Sequence, residues 1–338
     1  EAGAGGGYRA QGLGRKSMMN GRKTLLFLFT FFVLNWSVCF AQLSTLNLVY
    51  SGVGGLSDVV KFAHAEGFFK KNGLDVTLIY VNSGVLASQV VASGTAGAAA
   101  ITATDALRVM SAGVPMKIIM VNIDQFQHLF VARPGIKNPG DMKGKKVAVS
   151  RYGSFSDIQT RFLIRQWGME PDKDVQILQI GNSAARSAAL ASGGVDGAIV
   201  TPFFVPSAKK AGLNVIFDLS TINAKFANQI VIVNDNLINE KRAAVRAFAR
   251  GLIDAIKVWR AGSEATRAYL RKNYKLADAD IENVQAESRR FIRAEPTPDL
   301  ESVQAVWDNT PDLKARGPVD MRRLIDASFV TETLKEPK

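Results

Sequence analysis

Residues 150–157, SRYGSFSD, are the sharpest candidate for chemistry in this chain. Gly153 lets the backbone approach a bound group closely. Ser154 and Ser156 can cap a helix or donate to an oxyanion, and Tyr152 or Phe155 can flank an organic moiety. A serine–aspartate turn is also the ordinary start of a helix. Arg151 can pair with an anion, although an arginine on a loop is more often simply solvated. Similar groups recur at Ser51, Gly52, Val53 and Ser57, at Ser83 and Gly84, at Thr102 and Thr104, at Asn182, and at Thr201 and Phe203. These groups hold a ligand; they do not break bonds. The sequence has two histidines, His64 and His128, and no His/Cys/acid cluster with metal-ligand spacing. Its glycine-flanked serines lack the G-x-S-x-G elbow of a nucleophile. His64 falls in a helical pattern as a packed or partly exposed residue, whereas His128 opens a strand and leaves a cleft role open. No enzymatic activity, metal or cofactor is expected. With Arg151 as the one obvious charged clamp, the candidates favour a small organic ligand held by neutral donors over a bare inorganic anion.

The glycine turn SGVGGLS follows a strand and opens a helix, as a dinucleotide-binding fingerprint does. Ser57, however, stands where the last glycine or alanine belongs, and the next strand ends Tyr80-Val81-Asn82 without the ribose-holding acid. The Gly-Lys-Ser/Thr ending of a phosphate loop is missing too. Nucleotide binding is therefore rejected.

These candidates all sit in turns that follow strand-like runs. TLNLVY leads into SGVGGLS, and residues 62–81, FAHAEGFFKKNGLDVTLIYV, read as an amphipathic helix stopping at Gly73 and then an alternating strand. Ser83-Gly84 opens a helix to about Ala92, AGAAAI is a buried small-residue strand, and MKIIMVN is a fourth strand. A second set of the same kind follows, with strands at KVAVS, VQILQI, DGAIV and NVIF. Strands alternating with helices imply two parallel α/β sheets. Beyond Val233 the pattern is almost wholly helical, with further helices near residues 264–272, 278–293, 300–307 and 319–327. Strands near residues 127–133 and 230–233 are placed to cross between the two sets.

The chain has 338 residues and a formal net charge of +12. Residues 1–17 lack periodicity, and the following Arg22-Lys23, the apolar run from Leu25 to Leu34 and the small residues around Cys39-Phe40-Ala41 have the layout of a cleaved export signal. The alternative, an uncleaved anchor, is disfavoured because the run falls short of the ~20 apolar residues a span needs. Setting residues 1–41 aside leaves a charge of +8 and no cysteine, hence no thiol chemistry. The basic residues are spread along helix faces without interleaved aromatics, which argues against nucleic-acid binding.

Five segments in order, AHAEGFFKKNGLDVTL, ASGTAGAAAITATDAL, GIKNPGDMKGKKVAVS, ALASGGVDGAIVTPFF and the preceding signal layout, resemble the substrate-binding proteins of ABC importers for nitrate, sulfonates, taurine and pyrimidine precursors. The likeness runs from Thr45 to Phe329. It implies two Rossmann-like α/β lobes around a ligand cleft, joined by two crossing strands and extended by C-terminal helices. Lobe 1 would comprise residues 42–123 and 229–338, and lobe 2 residues 124–228. The resemblance further implies a periplasmic, monomeric protein that closes on a small molecule by hinge motion and delivers it to an ABC permease with its ATPase subunits, touching the membrane only through that permease. Ligand contacts would come from the turns named above. Two alternatives remain at this point: a ligand-sensing module of a membrane receptor, and a pyrimidine-precursor synthase, whose cysteine-rich motif this chain lacks.

Overall fold

The computed structural model describes residues 43–222 and 224–336, so the export-signal reading of residues 1–41 lies outside them. Leu43 onward forms one compact unit. Its strands are β1 (Ser44–Ser51), β2 (Leu74–Val81), β3 (Ala98–Thr102), β4 (Met116–Ile123), β5 (Leu129–Ala132), β6 (Lys146–Val149), β7 (Gln176–Gln179), β8 (Gly197–Val200), β9 (Asn214–Asp218) and β10 (Gln229–Asn234). They build two five-stranded sheets, ordered β2-β1-β3-β10-β4 and β7-β6-β8-β5-β9. In the first, β1 pairs in parallel with β2 and β3, while β10 runs antiparallel between β3 and β4. The second repeats the plan: β6 is parallel to β7 and β8, and β5 runs antiparallel between β8 and β9. The protein is thus α/β with two lobes, and the chain crosses between them after β4 and again after β9.

Helices cover both faces of each sheet. They are α1 (Leu56–Ala65), α2 (Phe68–Lys71), α3 (Gly84–Ala92), α4 (Ala103–Ser111), α5 (Phe155–Gln166), α6 (Ser183–Ala191), α7 (Val205–Lys210), α8 (Asp235–Glu240), α9 (Arg242–Ala261), α10 (Glu264–Tyr274), α11 (Asp278–Phe291), α12 (Leu300–Asn309), α13 (Pro311–Lys314) and α14 (Ser328–Lys335). Ala98, Ala99 and Ala100 of β3 are buried on both faces at the centre of the first sheet, where small side chains admit helices from either side. On one face Phe62 of α1 meets Trp259 of α9 edge-on with ring centroids 5.3 Å apart, and Phe69 stacks on Phe248 at 5.4 Å. Such pairs add to the burial of large aromatic surface.

Two sequence expectations are corrected. The helix read through to Gly73 begins earlier, at Leu56, and is broken at Gly67, whose φ of 72° is left-handed backbone that only glycine adopts at little cost. A separate single turn, α2, then ends before Gly73. The helix expected over residues 319–327 is instead one 3₁₀ turn, Met321–Leu324, followed by Ile325 bridging to Ile118 beside β4. Sheet pairing overrides the local helical pattern there, and the last helix lies at Ser328–Lys335.

Gly197 of β8 lies flat against the neighbouring strand. A Cβ there would stand 2.7 Å from Phe130 Cε1 and 2.9 Å from Met142 Cε. Gly197→Ala is expected to destabilise the protein by about 1–3 kcal/mol through overpacking. Urea unfolding should show a lower midpoint with an unchanged slope.

Candidate functional site

Parallel strands deliver their carboxyl ends, and the helix starts that follow, to one edge of each sheet. Here both edges face a common cleft. From the first lobe, Ser51, Gly52, Val53 and Gly54 leave β1, Ser83 and Gly84 follow β2, and Thr102 closes β3. Ser83 Oγ accepts from Leu86 N at 3.3 Å and caps α3, and Thr102 Oγ1 caps α4 by accepting from Asp105 N at 3.5 Å. From the second lobe, Ser150, Ser154, Phe155 and Ser156 follow β6, Asn182 caps α6 through Ala185 N at 3.0 Å, and Thr201 follows β8. The cleft encloses about 110 Å³, room for a small molecule and well below a drug-sized pocket. Helix N-termini from both lobes point their free N–H groups and positive dipole ends into it, a setting that favours negative charge.

The serines of residues 150–157 form a triangle. Ser150 Oγ donates to Ser154 Oγ at 2.7 Å, Ser156 Oγ donates to Ser150 Oγ at 3.0 Å, and Ser154 and Ser156 share a bond of 3.0 Å. Ser57 Oγ donates to the Ser51 carbonyl at 2.8 Å and steadies the first turn. Gly54 lies where the lobes touch: its φ is +93°, and a Cβ there would stand 3.1 Å from Thr201 Oγ1 of the other lobe. The lobes also meet at the cleft mouth, where Asn182 Nδ2 donates to Tyr80 Oη at 2.6 Å. Beneath the cleft, Phe126 and Phe226, one from each crossing segment, stack on each other and on Phe155, with ring centroids 4.9 to 6.0 Å apart.

Four expected residues lie elsewhere. Thr104 is buried within α4. Tyr152 turns away along the edge of the second sheet, its hydroxyl donating to the Ile177 carbonyl at 3.0 Å. Gly153 hands its N–H to Asp157 Oδ2 at 2.8 Å and faces Arg108. Phe203 packs against Tyr274 in a neighbouring crevice, with ring centroids 4.8 Å apart. Arg151 is exposed and outside the cleft lining, and His64 is exposed on α1.

The charged residues that do line the cleft are Asp105 and Arg186, neither of which was singled out from sequence. Asp105 is held above the usual carboxylate range by burial, although Thr102 Oγ1 donates to it at 2.8 Å and Arg108 stands 3.7 Å away. Arg108 is itself clamped by both oxygens of Asp312 at 2.7 and 2.8 Å. Arg186 differs. It is 4 % exposed and donates to three uncharged acceptors: the Ile199 carbonyl at 2.9 Å, the Gly181 carbonyl at 2.5 Å and Ser183 Oγ at 3.0 Å. Among the described residues no carboxylate pairs with it, and burial pulls its pKa down to about 10. It stays charged at neutral pH, a buried cation without a counter-ion. His128 lines the same wall, its ring edge-on to Phe155 and its Nδ1 3.4 Å from Gln159 Nε2. Burial, with Arg186 beside it, pushes its pKa down to about 3. No cluster of His, Cys, Asp and Glu among the described residues is arranged to hold a metal.

The sequence profile described as NMT1/THI5-like matches residues 60–263. The chain belongs to that family. Proteins named as binding proteins in Brucella abortus (strain 2308) and Brucella suis biovar 1 are 29% identical over 132 residues, 39% of this chain; the match spans 40% of the length of those relatives. Among solved structures, the alkanesulfonate-binding protein of Xanthomonas axonopodis pv. citri, bound to MOPS, superposes with a TM-score of 0.68 at 14% identity over 86% of this chain and 97% of that one. The periplasmic nitrate-binding protein of Synechocystis PCC 6803 gives 0.66 at 14% identity over 87% and 89%. The ligand-binding component of an ABC-type import system from Staphylococcus aureus gives 0.71 at 11% identity over 86% and 99%. This NMT1/THI5-like chain therefore has the periplasmic-binding-protein fold. No helix among its described residues is long and apolar enough to cross a membrane.

His128 links folding to pH. A ring with a folded pKa of about 3 against the ordinary 6.5 binds its proton only on unfolding at intermediate pH. Its contribution to stability is complete above pH 6.5 and is lost progressively as the pH falls toward 3, with a limiting slope of about 1.4 kcal/mol per pH unit. Urea unfolding of wild type and His128→Gln between pH 7 and 4.5 should give a shallower pH dependence for the variant. Equal slopes would show that His128 titrates normally.

Proposed function

We propose that this protein is an exported solute-binding protein that captures a small organic molecule carrying one negative charge in the cleft between its lobes. It closes by bending at the two crossings, near residues 124–128 and 219–228, so that residues 42–123 and 229–338 move against residues 124–228. The loaded form then delivers its ligand to an ABC importer permease. The observation that carries the ligand reading is Arg186, whose buried guanidinium faces the cleft with only neutral acceptors around it. A cation left unpaired in a low-dielectric site is costly, and an anionic ligand removes that cost. The helix starts at Ser83, Thr102, Ser154 and Asn182 add dipoles of the same sign. Thr201 Oγ1, without a partner among the described residues, supplies a neutral donor for a remaining oxygen atom, a serine of the triangle supplies another by giving up one of its internal bonds, and Phe155 lines the apolar side of the cleft. Family membership and the fold shared with importer components support the transport role.

A thermal-unfolding screen over small sulfonates, carboxylates, nitrate and neutral pyrimidines tests this reading. At a concentration about 100 times Kd a true ligand adds about 2.7 kcal/mol, raising the midpoint by on the order of 5 °C. Monoanionic organic molecules should be the compounds that shift it, and a screen in which only neutral compounds do so would overturn the anion reading. Arg186→Met should weaken the best anion roughly 30- to 1000-fold in calorimetry, as expected for losing one side of a buried charged contact. Arg186→Lys should retain part of the affinity.

The crossings generate a second expectation. Small-angle scattering should show a smaller radius of gyration on addition of a ligand found in the screen, and an unchanged radius would argue against closure at the hinge.

A further inference from the structure

We infer that His128 is a neutral hydrogen-bond donor to the bound anion, acting beside Arg186 and limiting the site to ligands with a single negative charge. This rests on the anion reading above. The histidine is 8 % exposed, yet it lines the cleft on the same wall as the guanidinium. Its backbone is pinned, since the His128 carbonyl accepts from Leu219 N at 3.0 Å. Its Nδ1 lies 3.4 Å from Gln159 Nε2, and with that amide N–H as the donor Nδ1 is the acceptor. The ring proton then sits on Nε2, which is left as a donor. The edge-on contact with Phe155, with ring centroids 5.6 Å apart, fixes the plane of the imidazole. Gln159 is itself buried in α5.

The surroundings decide the charge of the ring. From α5 it meets Phe155 and Gln159, both uncharged. The carboxylate of that helix, Asp157, is already engaged by Gly153 N at 2.8 Å and by Arg161 at 2.9 Å. From α6 it faces Arg186, a cation, and from the turn after β9 it meets the backbone of Leu219. No acid stands by to stabilise an imidazolium, and the nearest charge opposes one. Protonation is therefore deferred to strongly acidic pH, in line with the depressed pKa. On the wall formed by His128 and Arg186, the guanidinium is the one charge without a carboxylate partner among the described residues, and one negative charge on the ligand matches it. A dianion would bring a second charge with no partner into the same low-dielectric space.

Ethanesulfonate and ethylphosphonate test this, because they share an organic group and differ by one charge at pH 8.5. Isothermal calorimetry should give an ethanesulfonate Kd constant within about twofold from pH 5.5 to 8.5. Ethylphosphonate should tighten by roughly three- to fivefold from pH 8.5 to 5.5 as its remaining dianion becomes monoanion, which is the limit for a site that accepts the monoanion alone. If the thermal screen finds another monoanion and ethanesulfonate does not bind, the same series is run on that compound and its phosphonate analogue. His128→Ala should lose tenfold or more in affinity for the monoanion. His128→Gln, whose amide N–H can replace Nε2–H, should recover binding to within about threefold, with near-ultraviolet circular dichroism reporting that both variants are folded. Should both variants misfold, the wild-type sulfonate pH series decides alone. A sulfonate Kd that tightens tenfold toward pH 5.5 would mean a charged ring, and an alanine variant with wild-type affinity would mean no contact; either result overturns the role of His128. Absence of binding by every anion would instead defeat the Arg186 reading on which it rests.

Discussion

Each sheet contains one antiparallel strand that the chain supplies directly after a crossing between the lobes. β10 sits between β3 and β4 of the first lobe although it follows the whole of the second, and β5 holds the equivalent place between β8 and β9. Both run antiparallel to their parallel neighbours. Their amino ends therefore lie where the carboxyl ends of the other strands lie, at the cleft. That geometry places His128, just before β5, and Gln229, the first residue of β10, in the cleft lining. Gln229 Oε1 accepts from Leu56 N at 2.6 Å, so the returning strand also helps to satisfy the first turn of α1. The double crossing is the constraint from which the site follows.

Charge in the cleft is organised by what is already balanced and what is not. Asp105, Arg108 and Asp312 form one ion-paired group, and Asp157, Arg161 and Asp172 another. In each group one guanidinium is shared between two carboxylates, so every cation in them already has an anionic partner. Arg186 instead bonds to two carbonyls and a hydroxyl, which orient it without neutralising it. Orientation by neutral acceptors leaves a long-range field intact, whereas a carboxylate partner would cancel it.

Much of this was legible in the residues. The turns after β1, β2, β3, β6, β7 and β8 carry serine, threonine, asparagine and glycine in cap positions, and parallel-sheet logic sends such turns to one edge. Ser51, Ser83, Thr102, Ser154 and Asn182 are found there accordingly. Arg186 was overlooked because it sits inside a helix, in SAARSAALA, where arginine usually projects into water. A signal was present: no other charged residue occurs between Asp174 and Asp196, so no acid within one helical turn can pair with it. Tyr152 and Phe203 lie outside the cleft lining for another reason. Sequence places an aromatic in a turn but does not say which side of the turn its ring takes, and both rings found hydrophobic or backbone partners away from the cleft. The overturned helix at residues 319–327 shows the same limit: its periodicity is local, but the bridge from Ile325 to Ile118 is made with a strand two hundred residues away.

The side chain of Asn182 has two ends, and they serve different masters. Its oxygen is committed to Ala185 N within its own helix, while its nitrogen reaches across to Tyr80 of the other lobe. Separation of the lobes costs only the second bond. The helix start keeps its cap when the mouth opens, so the clasp can be undone and remade many times without fraying the element that carries it. An exposed bond of this kind contributes on the order of 1 kcal/mol. A clasp that weak biases the lobes toward each other while leaving the choice between shut and open to whatever occupies the space between them.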